Sequence, residues 1–203
     1  MSKIVVELNP KSVQKAINQL KAYKKALPLM MNELLEFACE WIIERANFYI
    51  DNADLGSLVA MQLKNAWEYE ISNGKAKVTN RLNAKRMVDG KMQEVPLSAM
   101  IEFGVGTIGS WNSHPKAAEE GYKYNIGTKI TGDGFWIFTQ TDDAEIDIPQ
   151  KYISSRTDKT VKTYGYPAVM YAYNAIVDAN VDLQNPNGAF ATEWRRIKER
   201  YLG

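Results

Sequence analysis

The sequence predicts an α+β protein with N-terminal helices, a central antiparallel sheet carrying an Asn-Gly hairpin, a long loop rich in glycine and aromatics, and C-terminal helices. Three observations carry this. Apolar residues at helical spacing mark both ends of the chain: Val13, Ile17, Leu20 and Leu27 near the start, Phe190, Trp194, Ile197 and Tyr201 near the finish. Alternating runs on either side of Asn73-Gly74 mark a hairpin. Between residues 104 and 134 the periodicity stops, and Gly104, Gly106, Gly109, Gly121, Gly127, Gly132 and Gly134 intersperse with Trp111, Tyr122 and Tyr124.

Taken in order, Asn9-Pro10 reads as a helix start, with Asn as the cap and Pro in the first turn. Lys11, Lys15, Lys21, Lys24 and Lys25 fill much of the rest of this helix. They form either a solvated face or a basic surface for a phosphate backbone or an acidic partner. Pro28 is expected to interrupt the helix, because an interior proline lacks the N–H and crowds the preceding turn. A second helix is expected over about 29–50, with Leu34, Ala38, Trp41, Arg45 and Phe48 along one stripe and Leu35, Ile42 and Tyr49 along another. Apolar residues on two sides imply burial on two sides.

In the hairpin, a two-residue turn sets Ile71 opposite Ala76 and Tyr69 opposite Val78 on one face, and Glu70 opposite Lys77 on the other. Residues 81–95 are polar and read as a loop or irregular strand. Leu97, Met100 and Ile101 give a short helix over 96–103, stopped by Gly104. Strands are expected at 135–138, 152–153 and 161–164, with an acidic turn over 141–149. A helix is expected to open at Gly165-Tyr166-Pro167 and carry Met170, Tyr173, Ile176 and Val177. The whole reads as one domain over 1–203: a helical part at 9–50, an α+β core at 55–103 and 135–182, an extended loop inserted at 104–134, and a closing helix at 189–201.

Composition narrows the function classes. The chain has 203 residues, 45% apolar and 24% charged, with a formal net charge of +1. So balanced a charge provides no bulk field toward nucleic acid or anionic membrane, although a local patch can still act. No apolar run is long enough for a membrane span or a signal peptide, so synthesis in the cytosol and no membrane partner are expected. Cys39 is the single cysteine and reads as a small buried thiol. His114 is the single histidine, which removes zinc sites built on several histidines. It lies in Ser113-His114-Pro115 without a G-x-S-x-G elbow, and reads as an exposed or interface side chain. Glu102 reads as an ion-pair or capping group. Asp142, Asp143, Glu145 and Asp147 lack the pattern of a calcium-binding loop. Gly104-Val105-Gly106-Thr107-Ile108-Gly109 has G-x-G-x-x-G spacing, but follows a helix and precedes a non-helical segment, so it does not read as a dinucleotide site. No catalytic residue, cofactor or metal is expected.

Several short motifs together resemble the tail-component family of long-tailed, lambda-like phages, the head–tail connector or neck proteins. They are Leu55-Gly56-Ser57-Leu58, the hairpin over 67–79, Ile101-Glu102-Phe103-Gly104-Val105-Gly106, His114-Pro115 with Gly121-Tyr122, and the segment Thr163-Tyr164-Gly165-Tyr166-Pro167-Ala168-Val169-Met170-Tyr171-Ala172. Val105 stands where the family carries threonine, and Val169 replaces its Pro-Phe before the methionine. The resemblance implies a non-enzymatic virion protein at the head–tail junction, assembled in the host cytoplasm. It implies a cyclic homo-oligomer, six-fold or else twelve-fold, touching stopper or adaptor and tail-terminator or tail-tube proteins, with passive contact to DNA in the channel. Closed rings need two different patches that meet on successive copies. The expected interface residues are Glu102, Phe103, Gly104, Gly106, Trp111, His114, Tyr122, Tyr124 and Trp136, and the loop over 104–134 is expected to order on assembly. Two other readings compete: a binding module for carbohydrate or peptide with Trp111, Tyr122, Tyr124 and Trp136 as its platform, and a small hydrolase pairing Glu102 with Asp133.

Overall fold

Asn9 opens the first helix as its sequence predicts: its side-chain oxygen accepts the backbone N–H of Ser12 at 2.8 Å, and its carbonyl accepts that of Val13 at 3.1 Å. The computed structural model describes residues 9–88, 91–111, 113–124, 129–130, 136–139, 153–156, 160–163 and 165–202. Between residues 129 and 163 it is the backbone pairing that is described. Helix α1 spans Pro10–Asp51, 42 residues, with Pro28 inside it. The expected break at Pro28 does not occur. An interior proline costs about 3 kcal/mol relative to alanine. Here strong helix formers flank it (Lys24, Lys25, Ala26 and Leu27 before, Leu29, Met30 and Met31 after), and Met30 is fully buried two residues beyond it. Tertiary burial offsets the missing bond, and one helix replaces the expected two.

The chain divides into two compact units. The first takes in the chain up to Trp41, Glu70–Lys77 and the chain from Asn180 onward. Here α6 (Ala189–Leu202) packs on α1 through Phe190, whose ring meets Phe37 edge-on at 5.5 Å and Trp41 at 5.3 Å. Glu33 accepts from Arg200 at 2.7 Å and from the Tyr201 hydroxyl at 3.2 Å. Asp182 caps α6, one oxygen taking the N–H of Ala189 and the other that of Phe190. The predicted stripe Phe190, Trp194, Ile197 and Tyr201 faces inward, while Arg195 and Arg200 are exposed.

The second unit holds Ile42–Tyr69 and Val78–Ala179. Its core joins Ala46 and Ile50 of α1, Val59 and Leu63 of α2 (Ser57–Asn65), Leu97 and Ile101 of α3 (Leu97–Phe103), and Tyr171 and Ala175 of α5 (Tyr171–Gln184). Trp67 meets Tyr171 edge-on at 5.8 Å and donates its indole N–H to Asn47 at 2.9 Å. Asp178 accepts from Arg45 at 2.9 Å and from Tyr49 at 3.0 Å. That bond to Asp178 is the main reason the Tyr49 hydroxyl ionises above its ordinary value.

Strands β1 (Trp67–Ser72) and β2 (Lys75–Asn80) form the expected hairpin, with positive φ at both Asn73 (52°) and Gly74 (70°), the signature of a type I′ turn. Residues 81–95, expected as loop or irregular strand, instead hold a regular antiparallel pair, β3 (Ala84–Val88) with β4 (Lys91–Val95), in register from Ala84–Val95 to Val88–Lys91. A third sheet has the order β5 (Lys129–Ile130), β6 (Trp136–Thr139), β8 (Thr160–Thr163), β7 (Ile153–Arg156), all antiparallel, with an irregularity between Ile153 and Ser155. The strands expected near 136, 153 and 161 are therefore present. The expected acidic turn lies outside the described residues.

Two further expectations change. Within the stretch 104–134, expected to be an extended loop, Gly106–Trp111 form a short helix, α4, and residues 115–121 form turns. Gly165–Tyr166 is not a helix start but a short strand, β9, bridged to Val105 and Gly106. Helix α5 starts at Tyr171, after Met170 with φ 56°.

Candidate functional site

Two motif segments about 60 positions apart in the sequence meet in the structure. Ile101–Gly106 and Gly165–Met170 run against each other: Val105 bridges Tyr166, Gly106 bridges Gly165, and the N–H groups of Val169 and Met170 donate to the carbonyls of Ile101 and Glu102 at 3.0 and 3.1 Å. Glycine makes the approach possible. Gly165 has φ 109°, and a Cβ there would fall on the Val105 carbonyl. Gly104 has φ 77°, and its Cβ would stand 2.6 Å from the Ala168 nitrogen. These restraints also hold Met170 in the left-handed region that a side chain of its size rarely adopts.

Glu102 sits at the centre of this crossing, buried at the start of α5. One carboxylate oxygen accepts the N–H of Tyr173 at 2.9 Å and the other that of Ala172 at 2.9 Å. A carboxylate at a helix N-terminus satisfies orphan donors and meets the positive end of the helix dipole. The oxygen facing Tyr173 also pairs with His114 Nε2 at 3.0 Å. His114, expected as an exposed or interface side chain, is buried within its own chain, with partners on both ring nitrogens and aromatic rings around it. Nδ1 accepts the N–H of Lys116 at 3.0 Å. Nε2 must then carry the proton and donate it to Glu102, which specifies the neutral tautomer by hydrogen-bond geometry.

Aromatic rings close this pair from solvent. Phe103 lies 4.3 Å from the His114 ring and stacks on Tyr122 at 4.6 Å, 19° from parallel. Tyr173 meets His114 edge-on at 5.1 Å, and Tyr124 meets Tyr122 at 5.3 Å. The Tyr124 hydroxyl accepts the His114 N–H at 3.2 Å, and Tyr122 donates to the Gly104 carbonyl at 2.8 Å. Tyr171 donates to the Ser98 carbonyl at 3.0 Å. Burial raises the ionisation of Tyr122 and Tyr171 well above the tyrosine range, with Tyr124 adding to the first and Glu102 to the second.

This geometry reassigns most of the expected interface residues. Glu102, Gly104, Gly106 and His114 are buried within the second unit, and Phe103, Tyr122 and Tyr124 are half-buried against them. They form a clasp that ties residues 101–111 and 113–124 to the start of α5. Among the expected interface residues whose burial is described, only Trp111 projects, 75% exposed. For Trp136 the structure gives the backbone pairing in β6, and Asp133 lies outside the described residues. Tyr122 and Tyr124 stack on their own chain and present no open platform with Trp111. Glu102 has both oxygens engaged and His114 both nitrogens, so in this state neither has an atom directed at a substrate. Sequence reasoning missed Tyr173, Lys116 and the Asp178 network.

Other surfaces are open. Val13, Ile17, Leu20 and Tyr23 line one side of α1 and are exposed, Leu20 by 57%. On α5, Ile176, Val177, Val181 and Leu183 are exposed, Val181 by 66%. Among the described residues no group of three or more His, Cys, Asp or Glu could hold a metal ion, and no helix is long and apolar enough to cross a membrane. Compared with family models, with curated proteins and with solved structures, the chain finds no match.

Proposed function

We propose that the chain is a structural subunit of a tailed-phage virion, a neck or tail-completion protein that forms a ring at the head–tail junction and works by assembly, not catalysis. The observation that carries the reading is the pair of exposed apolar stripes on two different helices. Val13, Ile17 and Leu20 follow i, i+4, i+7 spacing on α1; on α5, Val177–Val181 and Ile176–Leu183 do the same in pairs. Apolar stripes left open on a folded chain mark contact surfaces. Two non-identical stripes are what a head-to-tail contact between successive copies requires, and a closed ring is built from such contacts. The motif resemblance over 55–179 supports the virion setting, a six-fold ring over a twelve-fold one, and neighbours among the stopper, adaptor, tail-terminator and tail-tube proteins.

The test is electron microscopy of the purified protein and of phage particles, beside a Leu20→Asp variant. The reading expects closed rings from the wild type, and dispersed subunits from the variant with unchanged helix content. A wild type that stays monomeric at all concentrations and is missing from particles contradicts it.

A further inference from the structure

The geometry points to a nucleic-acid phosphate site on the polar side of α1, opposite its apolar stripe. Between Glu7 and Glu33 the chain carries Lys11, Lys15, Lys21, Lys24 and Lys25 and no acidic side chain. All five are exposed, and none has an ion-pair partner among the described residues. The first half of α1, up to Asn32, is therefore wholly basic, whereas its second half carries Glu33, Glu36, Glu40, Glu44 and Asp51 against Arg45 alone. At 100° per residue, Lys11, Lys15, Lys21 and Lys25 fall on one side together with Gln14 and Asn18, and only Lys24 turns toward the apolar side.

Lys11, Gln14, Lys15, Asn18, Gln19 and Ala22 line an open depression on this side, where the small Ala22 leaves room between longer side chains. Gln14 donates to Asn18 at 3.1 Å, which leaves further amide donors and acceptors facing outward. Lysines interleaved with Asn and Gln are the groups that grip phosphate and sugar oxygens without reading sequence. From Lys11 to Lys25 the helix advances about 21 Å, and duplex DNA carries one charge per about 1.7 Å of axis. Over that span a duplex presents about 12 phosphate charges, so each of the four lysines has a phosphate within its reach. The opposite side offers Val13, Ala16, Ile17, Leu20, Tyr23 and Leu27, so an anionic membrane is the competing partner in the test; the Asn and Gln side chains set among the lysines favour the phosphate and sugar oxygens of nucleic acid. The inference does not depend on ring formation, since the site lies within one helix of one chain.

The test is fluorescence anisotropy of a labelled mixed-sequence duplex with the full chain, titrated with salt. A variant with Lys11→Gln, Lys15→Gln, Lys21→Gln and Lys25→Gln is run beside it, and circular dichroism and mass are recorded for both. The wild type is expected to bind at low salt, with log affinity falling against log salt by about 0.9 per lysine–phosphate contact, a slope of up to about −3.6 for the four. The variant is expected to keep its helix content and mass, and to lose the binding and the slope. A wild type that is monomeric yet binds with this slope upholds the site while removing the ring. No binding at low salt, an equal slope in the variant, or binding to phosphatidylserine vesicles without binding to duplex overturns the proposal.

Discussion

The carboxylate of Glu102 accepts two helix N–H groups and the imidazole of His114, all in a buried setting. Removing one member strands the others away from water, at about 1–3 kcal/mol for each neutral donor left without an acceptor. Glu102→Ala should therefore cost about 3 kcal/mol of stability and His114→Ala about 2 kcal/mol, whereas Trp111→Ala at its exposed site should stay within about 0.5 kcal/mol. Urea denaturation of the three variants checks the order; a Glu102→Ala as stable as Trp111→Ala would refute the clasp. Glycine positions separate in the same way. Gly165→Ala puts a methyl group onto the Val105 backbone and should prevent the crossing, while Gly74→Ala meets open space and should cost only the strain of its positive φ, about 1 kcal/mol.

Tyr122 and Tyr171 add a pH dependence. Each donates to a backbone carbonyl in a buried site, and each ionises above its ordinary value of 10.0. The folded state keeps a proton that the unfolded chain gives up. Their contribution is therefore complete below pH 10 and is lost as pH rises through the folded-state value. An alkaline titration followed by tyrosinate absorbance and circular dichroism should show these two hydroxyls ionising only together with unfolding. Their ionisation in a chain that is still folded would contradict the burial.

At the scale of elements, α1 carries a proline that its own sequence reads as a stop. Pro28→Ala should restore the i to i−4 bond and raise stability by about 1–3 kcal/mol. Thermal unfolding measures this, and a lower melting temperature would mean that the proline shapes a contact the helix needs. Legibility in the sequence follows physical range. The Asn73-Gly74 hairpin is readable because its flanks alternate and its turn needs two positive φ values. Asp89-Gly90 is also a hairpin-turn dipeptide and lies in sequence between the paired residues Val88 and Lys91, but Lys85, Arg86, Gln93 and Glu94 blur the alternation, and the pair reads as loop. The helix over 97–103 and its stop at Gly104 are local and readable. The Glu102 clasp is not: it joins residues 12 and 70–71 positions apart, and no spacing rule spans that distance. The capping role of Glu102 was nevertheless inferable from its residue type, whereas the burial of His114 was not.

For the whole molecule, we propose assembly through the stripes on α1 and α5, while the aromatic and glycine-rich motifs pack inside the second unit at the start of α5. This moves the expected contact surface away from Glu102 and His114 and onto Leu20 and Val181. The most direct measurement is native mass spectrometry of the wild type across a concentration series, beside Leu20→Asp and Val181→Asp. The account predicts a closed species at six times the 23.0 kDa chain mass, lost in both variants while each stays folded. A single-chain mass at every wild-type concentration, or an unchanged oligomer in both variants, would contradict it.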